Sequence, residues 1–265
     1  MKNPSFKEKN PSADRDDDQM IYGLRPVMEA LEAGKEIDRI FIGRGAKGEL
    51  MVELKNQLRE RSIAWTEVPP EKLNRFTRKN HQEVVCFISA ISYFSLSQVV
   101  PSLFEKGVSP FLLILDRITD VRNFGAIART AECAGVHAIV IPTKGAAQVS
   151  SDAIRTSAGA LSRIPVCREN NLKAVVSYLQ QSGIQVVSAT EKGTDFHFQA
   201  DLSGPLAIVM GSEEDGVSPE LIRSCDRLLR IPMIGAISSL NVSVACGIML
   251  YEAIRQRMKS DDIQL

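Results

Sequence analysis

Apolar runs alternate with helical patterns along most of the chain after residue 110. Nearly continuous apolar segments, typical of strands buried on both faces, occur at residues 111–115, 137–141, 164–166, 184–189, 206–210 and 228–231. Apolar positions spaced by three and four residues predict helices, at residues 124–134, 152–158, 172–181, 219–224 and 242–257. This alternation predicts an α/β fold with an open, mostly parallel sheet and helices on both faces.

The last predicted helix carries apolar residues at helical spacing. Val244, Ile248 and Tyr251 recur at helical spacing and predict a wide buried stripe. The residues beside them, Ala245, Met249 and Ala253, widen that stripe.

A smaller domain is predicted before residue 93. Helices at residues 25–33, 47–61 and 70–78 alternate with strands at residues 37–42, 64–68 and 84–90, which suits a compact two- or three-layer α/β unit. Residues 1–19 mix charges with Asn, Pro and Ser and predict a disordered tail. Residues 93–109 contain a short helical pattern and are interpreted as a linker that packs on the C-terminal domain, residues 110–260.

Composition predicts a cytoplasmic protein without a membrane span. The 265 residues include no apolar run of membrane length, and the N-terminus is polar. The cysteines form no C-x-x-C pair, so neither a disulfide frame nor a zinc site is expected. They are Cys86, Cys133, Cys167, Cys225 and Cys246. Lys plus Arg equals Asp plus Glu, at 32 each. The global basic excess of many nucleic-acid binders is therefore missing, although charge can concentrate on one face.

Three loops that follow predicted strands could hold chemistry. In the first, Asn123 can cap a helix, Gly125 permits close backbone approach, and Arg129 follows more than a turn later. A capped helix with a surface arginine would explain the same pattern.

The second loop, residues 209–217, is bounded by Gly211 and Gly216. Its three carboxylates are contiguous, and the alternating ligands of a calcium loop are missing, so no metal is expected.

The third loop runs from Ile231 into the last helix. Pro232 ends the strand, and Ser238, Ser239 and Asn241 can each cap the helix. The helix start offers free N–H groups and a positive dipole end, which favours a ligand site. A strand, a loop and a well-capped core helix remain the simpler interpretation.

Taken together, the three loops resemble the signatures of the SpoU (TrmH-like) RNA 2′-O-ribose methyltransferases of the SPOUT superfamily. The matching strings are N-x-G-x-x-x-R from residue 123, G-x-E-x-x-G from residue 211, and IPM-x-G with SLNVSVA between residues 231 and 245. Residues 21–31 and 81–85 resemble the substrate-binding domain of these enzymes, which has a ribosomal-protein-like fold and binds RNA.

The resemblance implies S-adenosylmethionine as cofactor and a deep trefoil knot in the C-terminal domain. Backbone groups at Gly211, Ile231 and Leu240 would hold the cofactor, and Thr190 could add to the adenine pocket.

It also implies that Arg129 is catalytic, as a general base or as a phosphate clamp, since a guanidinium stays protonated in proteins. The residues implied to orient Arg129 and the ribose are Asn123, Glu213, Ser239 and Asn241.

RNA contacts are expected in two places. Arg75, Arg78, Lys79 and His81 crowd one loop beside Phe76, which offers cations and hydrogen-bonding groups next to a stacking surface. A solvated surface, with His81 tying the loop, is the alternative. Arg257 in the last helix could contact a phosphate, although a position near a helix C-terminus also explains a cation there.

By the same resemblance, the substrate is ribosomal RNA and the protein is a homodimer that pairs through the knot region. The layout is closest to the members that methylate a guanosine of 23S rRNA, although relatives that modify adenosine are not separated from them. A tRNA methyltransferase and a non-catalytic assembly factor are the alternatives, and the latter would be expected to lack Arg129 or Asn241. A dinucleotide oxidoreductase would need a G-x-G-x-x-G turn after the strand at residues 111–115, and none is present there.

Overall fold

A computed structural model describes residues 20–61, 63–147 and 149–258. The tail predicted at residues 1–19 lies outside these ranges. The chain divides into two compact units, with the boundary between Ala90 and Ile91. No helix of the described ranges is both long and apolar enough to cross a membrane.

The N-terminal unit contains a four-stranded sheet with the order β1-β4-β2-β3. Strand β4 is antiparallel to β1 and β2, and β2 is parallel to β3. The elements, in chain order, are β1 (Met20–Tyr22), α1 (Leu24–Glu32), β2 (Ile37–Gly43), α2 (Glu49–Glu60), β3 (Thr66–Val68), α3 (Pro70–Phe76) and β4 (Val84–Ile88). The pattern missed β1, because three residues are too few to show a period of two.

Two small cores form on opposite faces of this sheet. Helices α1 and α2 cover one face, with Val27, Leu54 and Ile42 among the fully buried side chains. Helix α3 covers part of the other face through Leu73. The Gln82 side chain accepts a hydrogen bond from the first amide of α1 at 3.0 Å, so the start of α1 is capped from across the unit.

The C-terminal unit contains a seven-stranded sheet with the order β7-β6-β5-β10-β8-β11-β9, and every pairing is parallel. Its strands are β5 (Phe111–Leu115), β6 (Ala138–Pro142), β7 (Val166–Glu169), β8 (Gln185–Ala189), β9 (Asp195–Phe196), β10 (Leu206–Met210) and β11 (Arg227–Arg230). Its helices are α4 (Leu96–Glu105), α5 (Val121–Cys133), α6 (Ser151–Thr156), α7 (Leu172–Gln181), α8 (Pro219–Ile222) and α9 (Val242–Arg257). The predicted parallel sheet is confirmed.

The helices lie on both faces of this sheet, as predicted. One core packs α5, α6 and α9 against the strands, and the other packs α4, α7 and α8. Leu96 and Val100 of α4 belong to the second core, so the segment interpreted as a connection packs on the C-terminal unit.

The predicted cap of helix α5 was wrong. The carboxylate of Asp120, which precedes Val121, caps α5 by accepting a hydrogen bond from the Asn123 amide at 2.8 Å. Asn123 therefore lies inside the helix and is not its cap. Gly125 serves helix packing, since a Cβ there would lie 2.7 Å from the Cβ of Thr156 in α6.

The buried face of α9 is also rotated from the predicted stripe. Cys246, Met249 and Ala253 are fully buried, whereas Val244 and Tyr251 are 51% and 53% exposed. The helix therefore has a second apolar face that nothing in the described chain covers.

The strand order places two special points at the carboxyl edge of the sheet. Strand β5 has β6 on one side and β10 on the other, which is a topological switch point, where parallel sheets bind ligands. Strand β11 lies between β8 and β9, although β8 and β9 are consecutive in the chain. The segment that joins them crosses β11 closely, because a Cβ on Gly193 would lie 2.7 Å from the Leu228 oxygen.

Candidate functional site

The side chain of Asn241 connects the three loops that the sequence singled out. Its Oδ1 caps α9 by accepting a hydrogen bond from the Ser243 amide at 3.0 Å. Its Nδ2 donates to Asn123 Oδ1 at 3.1 Å and to Glu213 Oε1 at 2.5 Å. We call Asn123, Glu213 and Asn241 the Asn241 junction. An amide suits this position because it accepts with one end and donates twice with the other.

The junction joins residues that are far apart in sequence. Asn123 and Asn241 are separated by 118 positions, and Glu213 and Asn241 by 28. Glu213 and Asn241 are exposed, so a ligand can reach their polar atoms. The structure thus brings together three of the five residues predicted to be catalytic.

The loop that carries Glu213 closes on itself. Ser212 and Gly216 exchange two backbone hydrogen bonds, at 3.1 and 3.0 Å. A Cβ on Gly211 would lie 2.1 Å from the Gly216 carbonyl carbon, and Gly216 itself has a φ of +64°. Glycine is therefore required at both ends by the turn itself. We call residues 211–217 the glutamate loop.

Three of the residues predicted to bind cofactor follow adjacent strands. Gly211 follows β10, Thr190 follows β8, and Ile231 follows β11, and these strands are neighbours in the sheet. The Thr190 amide donates to the Leu229 oxygen at 2.9 Å, which holds the ends of β8 and β11 together. The three residues therefore share one stretch of the carboxyl edge.

Backbone groups near the fourth cofactor candidate, Leu240, are available to a ligand. Within the described part of the chain, no backbone–backbone hydrogen bond involves residues 232–240, and all nine residues are exposed. Ile234 is 99% exposed and Ile237 is 78% exposed. Free amides, free carbonyls and apolar side chains suit a ligand that is held by main-chain atoms and shape, such as an adenosyl group.

The other two catalytic candidates are not part of the junction. Arg129 lies on α5, six residues after Asn123, which corresponds to about 9 Å along the helix and about 240° around it. Among the described residues, its exposed guanidinium has no hydrogen-bond or ion-pair partner. Ser239 lies in the exposed segment 232–240. Both side chains are accessible to an incoming substrate.

The cationic loop of the N-terminal unit is partly exposed and partly structural. Arg75 and Arg78 are exposed, and Lys79 Nζ lies 5.6 Å from the centre of the Tyr22 ring. His81 instead ties the loop. Its Nε2 lies 3.0 Å from Asn74 Oδ1, and its Nδ1 accepts a hydrogen bond from a backbone amide at 3.1 Å. The structure thus favours the alternative interpretation of His81.

Phe76 does not present an open stacking surface. Its ring stacks on Phe41 at 4.9 Å and meets Phe87 edge-on at 5.4 Å, so it is part of a half-buried aromatic cluster.

The structure corrects the expectation for Arg257. This residue is only 6% exposed. Its guanidinium donates to the carbonyls of Pro110, at 3.1 Å, and Gly204, at 2.6 Å, and lies over the Phe111 ring at 4.5 Å. These contacts join the end of α9 to the start of β5 within the C-terminal unit. The buried guanidinium is therefore not available to an RNA phosphate.

No sequence pattern singled out Asp116, the residue that directly follows β5. Asp116 is 5% exposed, and its Oδ2 accepts a hydrogen bond from the Ser218 amide at 2.7 Å. The only available signal was an acidic residue directly after a buried apolar run. Its contact fixes the end of the glutamate loop.

The described residues offer neither a cluster of metal ligands nor, at Cys246, a reactive thiol. Within the described ranges, no group of His, Cys, Asp and Glu side chains is arranged to hold a metal ion. Burial raises the pKa of the Cys246 thiol, in α9, to about 12. That thiol therefore stays protonated at neutral pH and is not a nucleophile.

Comparisons with known proteins match both units. The model of the SpoU rRNA Methylase family matches residues 110–251, and the model described as RNA 2′-O ribose methyltransferase substrate binding matches residues 20–94. The 23S rRNA (guanosine-2′-O-)-methyltransferase RlmB of Vibrio vulnificus is 35% identical over 91% of this chain and 98% of its own length.

Two solved structures illustrate the range of similarity. The AdoMet-bound rRNA methyltransferase from Sinorhizobium meliloti is 30% identical with a TM-score of 0.57, and the match covers 89% of this chain and 87% of that one. A structure described as giving insight into 2-OH methylation of C/U34 on tRNA is 25% identical with a TM-score of 0.52. That match covers 57% of this chain and 98% of the other.

Proposed function

This chain belongs to the SpoU rRNA methylase family, and from that premise we propose that it methylates the ribose 2′-hydroxyl of a guanosine in 23S rRNA. It is an RNA 2′-O-methyltransferase that uses S-adenosylmethionine. The coverage of the relatives supports an rRNA substrate. The RlmB relative extends over both units, whereas the tRNA-related structure accounts for little more than half of this chain.

The observation that carries this proposal is the Asn241 junction. It joins one residue from each signature loop, and two of these loops begin at the ends of β10 and β11, where Gly211 and Ile231 lie. A capped helix in an ordinary core would need only the bond from Asn241 to Ser243. The two further bonds fix the relative positions of three loops, as a preorganised site requires.

The cofactor supplies an electrophilic methyl group on a sulfonium. The protein holds it with main-chain atoms of Gly211, Ile231 and Leu240, and Thr190 completes the adenine side.

Arg129 acts on the substrate side. Its exposed guanidinium, which has no partner among the described residues, binds the phosphate next to the target ribose and stabilises negative charge that develops on the 2′-oxygen. When bound, the cofactor would supply the methyl group to the ribose oxygen and leave as a neutral thioether, and the hydroxyl proton would pass to water. The Asn241 junction keeps the ribose in line with the methyl group.

Substitution of Arg129 tests this assignment. Arg129→Ala should leave the dissociation constant for S-adenosylmethionine within twofold and lower methyl transfer by at least 100-fold. Arg122→Ala, which removes an exposed arginine of the same helix, serves as control and should keep transfer. Loss of cofactor binding in Arg129→Ala would move Arg129 into the cofactor site.

Mapping of 2′-O-methyl marks tests the substrate. Cells that lack this gene should lose one guanosine mark in 23S rRNA, and the gene should restore it. If that mark stays and a tRNA mark disappears, the substrate is tRNA. If no mark changes and purified protein transfers no methyl group to RNA, the enzymatic proposal is wrong.

The N-terminal unit binds the RNA through Arg75, Arg78 and Lys79. Their replacement by alanine should raise KM for RNA and leave KM for S-adenosylmethionine unchanged, with a smaller dependence of RNA affinity on salt. Replacement of Lys35 and Lys47, two other exposed lysines of this unit, is the control.

A homodimer is part of the same proposal. The open apolar face of α9, with Val244 and Tyr251, continues into a loop whose Ile234 and Ile237 are almost fully exposed. Patches of this kind mark protein interfaces. A double substitution of Val244 and Tyr251 by Asp should produce a monomer in sedimentation experiments, whereas Phe104→Asp, on the exposed side of α4, should not.

We also propose that the crossing of β11 by the β8–β9 segment is the threading point of a trefoil knot. The close approach at Gly193 supports this interpretation. A cytoplasmic location follows from the substrate, because an enzyme that modifies ribosomal RNA must share its compartment.

A further inference from the structure

Arg117 holds the glutamate loop from the end of a neighbouring strand. It follows Asp116 directly after β5. Its guanidinium donates to Asp215 Oδ2 at 3.1 Å and to the Gly216 carbonyl at 3.1 Å. Together with the bond from the Ser218 amide to Asp116, these contacts fix residues 215–218 against two consecutive residues of another loop.

The backbone of Arg117 has an unusual conformation. Its φ is +59°, in the left-handed region that residues with a Cβ seldom adopt and that glycine adopts freely. Such strain persists where the surrounding contacts determine the conformation, and it concentrates at functional sites. The contacts that can offset the strain are those to the glutamate loop and the ion pair of Arg117 Nε with Asp116 Oδ2 at 3.6 Å.

Global stability is a weak explanation for these contacts. The Arg117 side chain is 38% exposed and that of Asp215 is 69% exposed, and ion pairs of this kind contribute little to the free energy of unfolding. A guanidinium that donates from two nitrogens does fix orientation, because its planar fork presents donors in a rigid geometry. The arrangement therefore suits positioning more than stabilisation.

The loop that Arg117 holds is the one that presents Glu213 to Asn241. The Asn241 junction restrains the loop at Glu213, and Arg117 restrains it at Asp215 and Gly216. The restraint connects the loops that follow β5 and β10, which are the two neighbouring strands at the switch point of the sheet. Without it, the closed turn could pivot about its bond to Asn241.

We propose that Arg117 is a positioning residue for methyl transfer, which keeps Gly211 and Glu213 in the geometry that cofactor and ribose require. This inference deepens the proposed function and rests on it. Arg117 is not among the residues proposed to contact the cofactor or the ribose, and its side chain contacts the glutamate loop, so its effect passes through that loop. A loop that must be ordered on binding lowers cofactor affinity, because the ordering entropy is then lost at that step.

Three substitutions separate positioning from strain. Arg117→Gly removes the side chain and relaxes the backbone. We therefore expect an unchanged or higher Tm, while the affinity for S-adenosylmethionine and kcat each fall about tenfold. Arg117→Ala keeps the strained conformation, and we expect the same losses with a lower Tm. Arg117→Lys keeps the charge without the fork, and we expect it to recover part of kcat. Arg155→Ala, which removes an exposed arginine paired with Asp152 at 2.6 Å, is the matched control.

The readouts are calorimetric titration with S-adenosylmethionine, methyl transfer to transcribed 23S rRNA, and thermal unfolding. If Arg117→Gly keeps affinity and kcat within twofold of wild type, Arg117 has no positioning role. If affinity and kcat fall only in the variant whose Tm is lowered, Arg117→Ala, the role of Arg117 is structural and the inference is wrong. If wild-type protein binds S-adenosylmethionine but methylates no RNA, the proposed function fails, and the affinity comparison still decides the role of Arg117.

Discussion

Replacement of Asn241 by aspartate separates the capping role of this residue from its role in the junction. Aspartate is as good an N-cap as asparagine, so the bond to the Ser243 amide is retained, and a negative charge at a helix start is favourable. The Nδ2 donor is lost, however. A carboxylate oxygen then stands where Nδ2 lay, 2.5 Å from Glu213 Oε1 and 3.1 Å from Asn123 Oδ1.

The cost can be worked out from these contacts. The lost bond to the charged Glu213 contributes about 1.5 kcal/mol, the lower end of the range, which suits an exposed pair. The bond to Asn123 is replaced, because the Asn123 amide can turn its Nδ2 toward the new carboxylate. Two carboxylates about 3 Å apart repel by about 1.4 kcal/mol even in the dielectric of water. The helix dipole returns roughly 0.5 kcal/mol. The junction geometry should therefore be disfavoured by about 2.4 kcal/mol, which lowers its population by a factor of about 60.

The assay compares Asn241→Asp with Asn171→Asp. Asn171 caps α7 in the same way, by accepting bonds from the Lys173 and Ala174 amides at 3.0 and 3.1 Å, and no carboxylate of the described residues is hydrogen-bonded to it. We expect kcat/KM for RNA methylation to fall about 50-fold in Asn241→Asp and by less than twofold in Asn171→Asp. Global stability in urea should change by less than 1 kcal/mol in either variant, because the junction is exposed and its loops can separate.

Equal activity of the two variants, within threefold, would refute the reasoning. It would show that Asn241 acts only as a helix cap and that the two further bonds are not needed for transfer. A large loss of stability in Asn241→Asp alone would instead show that the junction is a structural contact.

Two other substitutions test the loop and the last helix. Gly211→Ala places a Cβ 2.1 Å from the Gly216 carbonyl carbon and should lower the affinity for S-adenosylmethionine at least tenfold in calorimetry. The control Gly204→Ala, whose Cβ would have no described atom within 4 Å, should bind the cofactor normally. Equal affinities of the two variants would show that the closed turn is not required. The hydrogen bond from Arg255 lowers the pKa of Glu252 to about 2, so this carboxylate stabilises the fold above its ordinary pKa and ceases to do so as the pH falls toward 2. Glu252→Gln should therefore lower the free energy of unfolding in urea at pH 7 by about 1 kcal/mol, a modest value because Arg255 is half exposed. The difference from wild type should shrink below about pH 4.5. A difference that is independent of pH would contradict this prediction.

The sequence by itself determined the longer elements of the C-terminal unit and their order, and it missed the two-residue strand β9. The strands Phe111–Leu115 and Leu206–Met210 and the helices Leu172–Gln181 and Val242–Arg257 lie where the pattern predicts them. These segments are long, strongly apolar or strongly periodic, so local information suffices. The capping potential of Asn241 and the glycines of the glutamate loop were also visible, because caps and turns depend on near neighbours.

The tertiary structure decided which of the candidate residues meet. Asn241 reaches Asn123 across 118 positions of sequence, and no local pattern could indicate that contact. The short strands β1 and β9 exist only because neighbouring strands pair with them. Arg257 shows the limit of local interpretation, since its cation suits a helix C-terminus or a phosphate, yet it is buried against two carbonyls from distant loops.

Arg117 shows the same division most clearly. In the sequence it is one arginine among several after a buried strand, and its left-handed backbone and its contacts to Asp215 and Gly216 are invisible there. Local chemistry fixes what a side chain can donate or accept. The strand order of the sheet, which is set by packing across the whole unit, fixes which partners come within reach.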